Sequence, residues 1–130
     1  MQKQYVILSG LFIMISIVLG AMGAHALKKI LPVEALVTFE TGVRYQMYHA
    51  LFLLFLGSLN DFPQKTKKSI WFLIVLGVIF FSGSIYLLAT NSLTSFDFKV
   101  IGFVTPIGGL LLILGWGVSL LNIMNKKSQN

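Results

Sequence analysis

With 130 residues, 56% of them hydrophobic and 11% charged, the chain departs from soluble globular domains, where about a quarter of residues carry charge, and lipid must serve as its solvent. The absence of cysteine excludes disulfides, thiolate metal sites and thiol catalysis. The net charge of +6 does not mark a nucleic-acid binder. Its lysines cluster beside apolar runs (Lys28-Lys29, Lys65-Lys67-Lys68, Lys126-Lys127), where they orient helices against anionic headgroups.

The first element predicted is a membrane span over about 5–27, which contains no formal charge. It ends in GAMGAHAL, where Ala24-His25-Ala26 has the form of a signal-peptidase site. The apolar run outlasts the 7 to about 15 residues of a secretory core, so an uncleaved span is expected. Ser16, Gly20 and Ala24 recur at i, i+4 and i+8, with Gly23 beside them, a small-residue stripe that lets another helix approach. His25 neighbours that stripe in angle and is expected to point toward a helix.

Residues 28–42 read KKILPVEALVTFETG. Pro32 suits a first helical turn, with Glu34 near the positive end of the dipole. Leu36, Phe39 and Val43 then repeat at helical spacing. A short amphipathic helix over about 32–42 is predicted, either lying on the membrane or running nearly straight into the second span with Gly42 as the bend, so residues 32–59 read as one bent helix or two.

The second span, about 43–59, is short and carries Arg44 near its start and His49 about 7.5 Å deeper at the helical rise. Glu40 and Arg44 stand at i,i+4 in the orientation that favours an ion pair. Tyr45, Gln46 and His49 share a face. A polar turn, NDFPQKTKKS, leads to the third span, about 70–89, with Ser82, Gly83, Ser84 and Tyr86 toward its end. The fourth span, about 100–121, holds Thr105 and Pro106, then Gly108 and Gly109. There Pro106 is expected to free a backbone carbonyl that neighbouring side chains must satisfy.

The spans thus each contribute polar groups to one layer, in the half of the membrane opposite the amino terminus. Counting Lys and Arg alone, that terminus shares its side with Lys3, Lys65, Lys67, Lys68, Lys126 and Lys127, against Lys28, Lys29, Arg44 and Lys99 across the membrane. The excess places both termini in the cytoplasm. The fold class expected is an all-α membrane protein, one domain over 1–130, with four transmembrane helices in a compact bundle plus the amphipathic helix between spans 1 and 2.

GAMGAHAL, FETGVRYQMYHAL, FFSGSIYLL and TPIGGLLLILGW, in that order and spacing, resemble a small four-helix membrane family. It is known as domain of unknown function 423, with animal members called transmembrane protein 256-like. The resemblance covers about residues 5–120 and implies a multi-pass membrane protein without an assigned activity. Its recurring positions fall on Gly20, Gly23, Ala24, His25, Tyr45, Gln46, His49, Ser82, Gly83, Ser84, Tyr86, Pro106, Gly108, Gly109 and Trp116.

No nucleophile-base-acid arrangement is visible, so no enzyme, cofactor or metal site is expected; two histidines with no third ligand make a poor zinc site. The candidate polar cluster is His25, Glu40, Arg44, Tyr45, Gln46, His49, Ser82, Ser84 and Tyr86. The candidate packing positions are Ser16, Gly20, Gly23, Ala24, Gly83, Pro106, Gly108 and Gly109. The leading expectation is a structural or accessory component of the cell membrane, whose partners are the lipid bilayer and a second copy or another membrane protein, with no nucleic acid. Two alternatives stay open: a small oligomeric transporter or channel gated by His25 and His49, and a module binding quinone, haem or lipid.

Overall fold

The computed structural model describes residues 2–127. Met1 and residues 128–130 lie outside the described residues, as does the side chain of Lys127 used in the charge count. Four long helices follow one another: α1 (Gln2–Ala24), α2 (Val33–Ser58), α3 (Gln64–Ala89) and α4 (Val104–Lys127). Single 3-10 turns lie at Leu27–Lys29, Asn91–Leu93 and Phe98–Ile101. No strand occurs among the described residues. The stretches Lys3–Lys29, Gln64–Ala89 and Phe98–Lys126 are long and apolar enough to cross a membrane. Helix α2 is equally long, at 26 residues or about 39 Å, but Glu34, Glu40, Arg44, Gln46 and His49 keep it out of that class.

Two prolines set the starts of α2 and α3. Pro32 and Pro63 are the capping residues, with φ of -58° and -56°, and each carbonyl accepts the first helical bond, from Leu36 and Lys67. Of the two arrangements left open for residues 32–59, the continuous one is found: α2 runs unbroken from Val33 to Ser58. Gly42 is buried within it and serves close approach: a Cβ there would stand 2.8 Å from Tyr86 Cε1 and 2.9 Å from Ile85 Cγ2 on α3.

Pro106 also departs from expectation. Helix α4 begins at Val104, so Pro106 occupies the first turn, where a missing N–H breaks no intrahelical bond. The preceding residues, 98–101, wind as a 3-10 turn instead of opening the span.

Consecutive helices pack against one another. Along α3 and α4 the facing pairs Ser84–Thr105, Phe81–Gly108, Gly77–Leu112 and Ile74–Gly115 keep one antiparallel register, each step down one helix matched on the other. Glycine is required at the tightest of these, for a Cβ on Gly108 would lie 2.7 Å from Phe81 Cα and nearer still to its backbone nitrogen. On α1 the buried stripe is Tyr5, Ser9, Ser16 and Gly23, while Ala24 is exposed. Seven residues on from Ser16 is only about 20° off its line and eight is about 80°, so Gly23 takes the place expected of Ala24.

Two apolar cores result. Leu53, Leu56, Ile70, Ile74, Val78 and Leu112 fill the end that holds the amino terminus. Leu27, Leu31, Phe39 and Ala89 fill the other.

At the amino-terminal end Lys67 is fully buried, although lysines at a span boundary ordinarily reach for water. Its ammonium donates to the carbonyl of Leu59 just past the end of α2 and stands 6.0 Å from the Tyr5 ring centroid. It thereby meets one of the orphan carbonyls that end every helix.

Candidate functional site

Between the two cores lies a layer of buried polar groups. Gln46, near the middle of α2, is 5% exposed. Its amide nitrogen donates to the Phe12 carbonyl of α1 at 2.9 Å, and its amide oxygen accepts the Tyr86 hydroxyl of α3 at 2.6 Å. Side chains on a helix tilt toward its amino terminus, so Tyr86 hangs back down α3 to reach this level. The Phe12 carbonyl also accepts Ser16 Oγ at 2.8 Å. One side chain therefore ties three helices.

One turn earlier on α2, the Gly42 carbonyl accepts the Ser82 hydroxyl at 2.7 Å. The lack of a Cβ at Gly42 brings α3 near enough for that bond. Ser84 turns to α4, with its Oγ 2.5 Å from Thr105 Oγ1 and 3.0 Å from the Phe81 carbonyl.

His49 is 6% exposed. Its Nδ1 lies 2.7 Å from the Tyr45 carbonyl oxygen, and its Nε2 lies 3.1 Å from the indole nitrogen of Trp116 on α4. An indole N–H only donates, so Nε2 accepts and the ring proton sits on Nδ1. Both nitrogens of the neutral ring are occupied. Beside it Phe52 stacks on Trp116 with centroids 4.1 Å apart, and a hollow of about 390 Å³ opens among Tyr45, His49, Phe81, Leu112 and Trp116.

Gln46, His49, Ser82 and Tyr86 thus meet at one level, and Ser84 bonds separately nearer the opposite end. That level is the middle of the bundle, where the sequence placed it in one half. Tyr45 contributes its carbonyl while its side chain is 42% exposed, packed on Phe81 at 5.0 Å between centroids. Glu40 and Arg44 pair at 3.6 Å on the outward face of α2, with side chains 43% and 62% exposed, apart from the layer. His25 does not join it. Two residues beyond Gly23, it lies about 200° round from the packed stripe, is exposed, and makes no side-chain hydrogen bond among the described residues.

The packing positions divide too. Gly20 meets Val43 and Gly23 meets Phe39. Gly108 is tightly enclosed and Gly109 is in ordinary contact, whereas Gly83 has open space around it and Pro106 is exposed. Trp116, named above only among the recurring positions of the family resemblance, proves to be the partner of His49. A buried histidine with only one local acceptor was the available signal that such a donor must exist. Nothing in the sequence pointed to the Phe12 carbonyl, because every residue carries one.

Residues 19–109 match the family described as "Protein of unknown function (DUF423)". The chain is 40% identical over 114 residues to a UPF0382 membrane protein of Staphylococcus haemolyticus, covering 88% of this chain and 89% of the relative. It is 34% identical over 116 residues to the UPF0382 membrane protein YwdK of Bacillus subtilis, covering 88% and 90%. It is 35% identical over 118 residues to the UPF0382 inner membrane protein YgdD of Escherichia coli, covering 87% and 83%. No solved structure matches the chain.

Proposed function

The chain belongs to the DUF423 family of membrane proteins, and from that premise we propose that it is a non-enzymatic structural or accessory component of the cell membrane, crossing the bilayer four times. The observation that carries this reading is the saturation of the polar layer. Gln46 is bonded at both ends and His49 at both nitrogens, so these groups hold helices together, and the one ring lone pair of neutral His49, on Nε2, is already taken by the Trp116 N–H. Helix α2 crosses with the others in this reading, its polar residues answered by α1, α3 and α4 instead of by lipid. Both termini lie in the cytoplasm, which the lysine excess at that end supports.

An accessory component needs a surface for its partner. The outward face of α2 carries exposed Glu34, Arg44 and Tyr48 together with the Glu40 carboxylate, an unfavourable set to present to acyl chains. A second copy of this chain or another membrane protein meets that face. Purified protein in liposomes carrying a pH-sensitive dye and an anion probe tests the reading. The expected result is leakage equal to empty liposomes. Flux that rises with protein and falls on His49→Ala would replace it with the gated-transporter alternative.

A further inference from the structure

We infer that the outward face of α2 is a dimer interface, on which a second copy of this chain packs α2 against α2 and closes the Glu40–Arg44 pair into a ring of four charges. Val37, Thr41, Arg44, Tyr48, Leu51 and Phe55 follow one another at alternating steps of four and three, the heptad spacing by which two parallel helices pack. Thr41 is half-buried and the other five are exposed. Helices α1 and α3 pack along other sides of α2, so this line is left open by the chain's own elements.

Depth and charge identify the occupant. Arg44 lies about 3 Å of helix from the level of Gln46 at the middle of the bundle, and Glu40 about 9 Å from it. Both fall inside the roughly 15 Å between the midplane of a hydrocarbon core and its edge, where charges facing acyl chains are expensive. Their single contact, Arg44 Nη2 to Glu40 Oε2 at 3.6 Å, is too long for a hydrogen bond. Neither side chain has another partner among the described residues. The guanidinium thus keeps donors, and the carboxylate acceptors, for a neighbour. A second copy supplies both at the same depth. Related by a two-fold axis along the membrane normal, its Glu40 meets Arg44 of the first copy and its Arg44 meets Glu40, so that the signs alternate around the axis. Within the hydrocarbon the face carries one charge of each sign and is thereby self-complementary, as a two-fold contact requires. The copies run parallel because the same lysine excess orients each.

The inference rests on the four-span reading above, in which α2 crosses the bilayer, and it names the partner that meets this face. Its test is disulfide cross-linking of the full chain in native membrane vesicles, where the lack of any natural cysteine lets single cysteines report position. Oxidation should link copies through Leu51→Cys or Phe55→Cys several-fold more than through Val18→Cys on α1 or Ile113→Cys on α4, which are exposed on other helices. On the Leu51→Cys background, Glu40→Arg and Arg44→Glu should each lower the linked fraction about tenfold, the scale of an interhelical bond. The two charge variants expressed together, each with the complementary sign, should link to one another again. A thermal melt of each variant confirms the fold. Equal linking at Leu51 and Ile113, linking that survives both charge reversals, or no recovery on joint expression would overturn the inference and leave the four-span reading standing. Labelling of Leu51→Cys by a membrane-impermeant maleimide in sealed vesicles would overturn both.

Discussion

Trp116 donates its indole N–H to His49 Nε2 across 67 residues of sequence, while the opposite nitrogen of the same ring faces the Tyr45 carbonyl one turn back on its own helix. The two bonds hold the imidazole in a single tautomer. They also join α2 to α4, which are not neighbours in the chain.

Removing either partner has unequal consequences. Trp116→Phe keeps an aromatic ring on Phe52 and loses one hydrogen bond, so the destabilisation expected is about 0.6 to 1.7 kcal/mol, the range for interhelical bonds in membranes. His49→Ala also opens a cavity and strands the indole N–H, so about 2 to 4 kcal/mol is expected. Reversible unfolding in mixed micelles separates the two. No loss on Trp116→Phe would mean that the bond carries no weight of its own.

Gln46 and Tyr86 should behave as a coupled pair. Tyr86→Phe leaves the amide oxygen of Gln46 without its 2.6 Å donor, and Gln46→Leu leaves the hydroxyl without an acceptor. A double-mutant cycle between these variants should return a coupling of about 1 kcal/mol. Simple additivity would show that the two groups find other partners.

Glycine positions offer a contrast within two helices. Gly108→Ala drives a methyl into the Phe81 backbone, which cannot rotate away, and should cost about 3 kcal/mol or more. Gly83→Ala meets nothing within 4 Å and should change stability by less than about 0.5 kcal/mol. Thermal melts of the pair in one detergent decide the matter.

The loop before α4 should loosen in acid. The Asp97 carboxylate accepts the Lys99 amide N–H and then the Asn91 side-chain amide, each at 3.1 Å, and these bonds hold its pKa below the ordinary carboxylate value. A lowered folded-state pKa means that this ordering is present above the unfolded value and is lost as pH falls through the folded one. Amide exchange at Phe98 and Lys99 should therefore speed up, relative to its intrinsic rate, once Asp97 protonates. Asp97→Asn should remove that dependence.

Much of the fold is legible in the sequence because the hydrocarbon core imposes a length. The four apolar runs, the turn at Pro63 and the Glu40–Arg44 pair all follow from local rules of spacing. The continuity of α2 is not legible locally, since Gly42 reads as a bend until Ile85 and Tyr86 are seen to need its space. Pro106 was misplaced because residues 100–103 are as apolar as the helix they precede. His25 and His49 looked alike as intramembrane histidines, and only the angular position of Gly23 separates the exposed one from the buried one. Lys67 resembled its neighbours Lys65 and Lys68. The carbonyl that takes it inward becomes available only when α2 turns back into α3.

That turn has a consequence for the order of assembly during synthesis. The bond from Lys67 to Leu59 spans eight residues, so its loop closes at little entropic cost and needs nothing from α4. The α2–α3 hairpin can therefore leave the insertion machinery with one of the carbonyls at the end of its first helix already met. Tyr5 of α1, translated earlier, then covers the ammonium. Helix α4 arrives last, and by register it has only to slide its glycines onto a surface that α3 already presents.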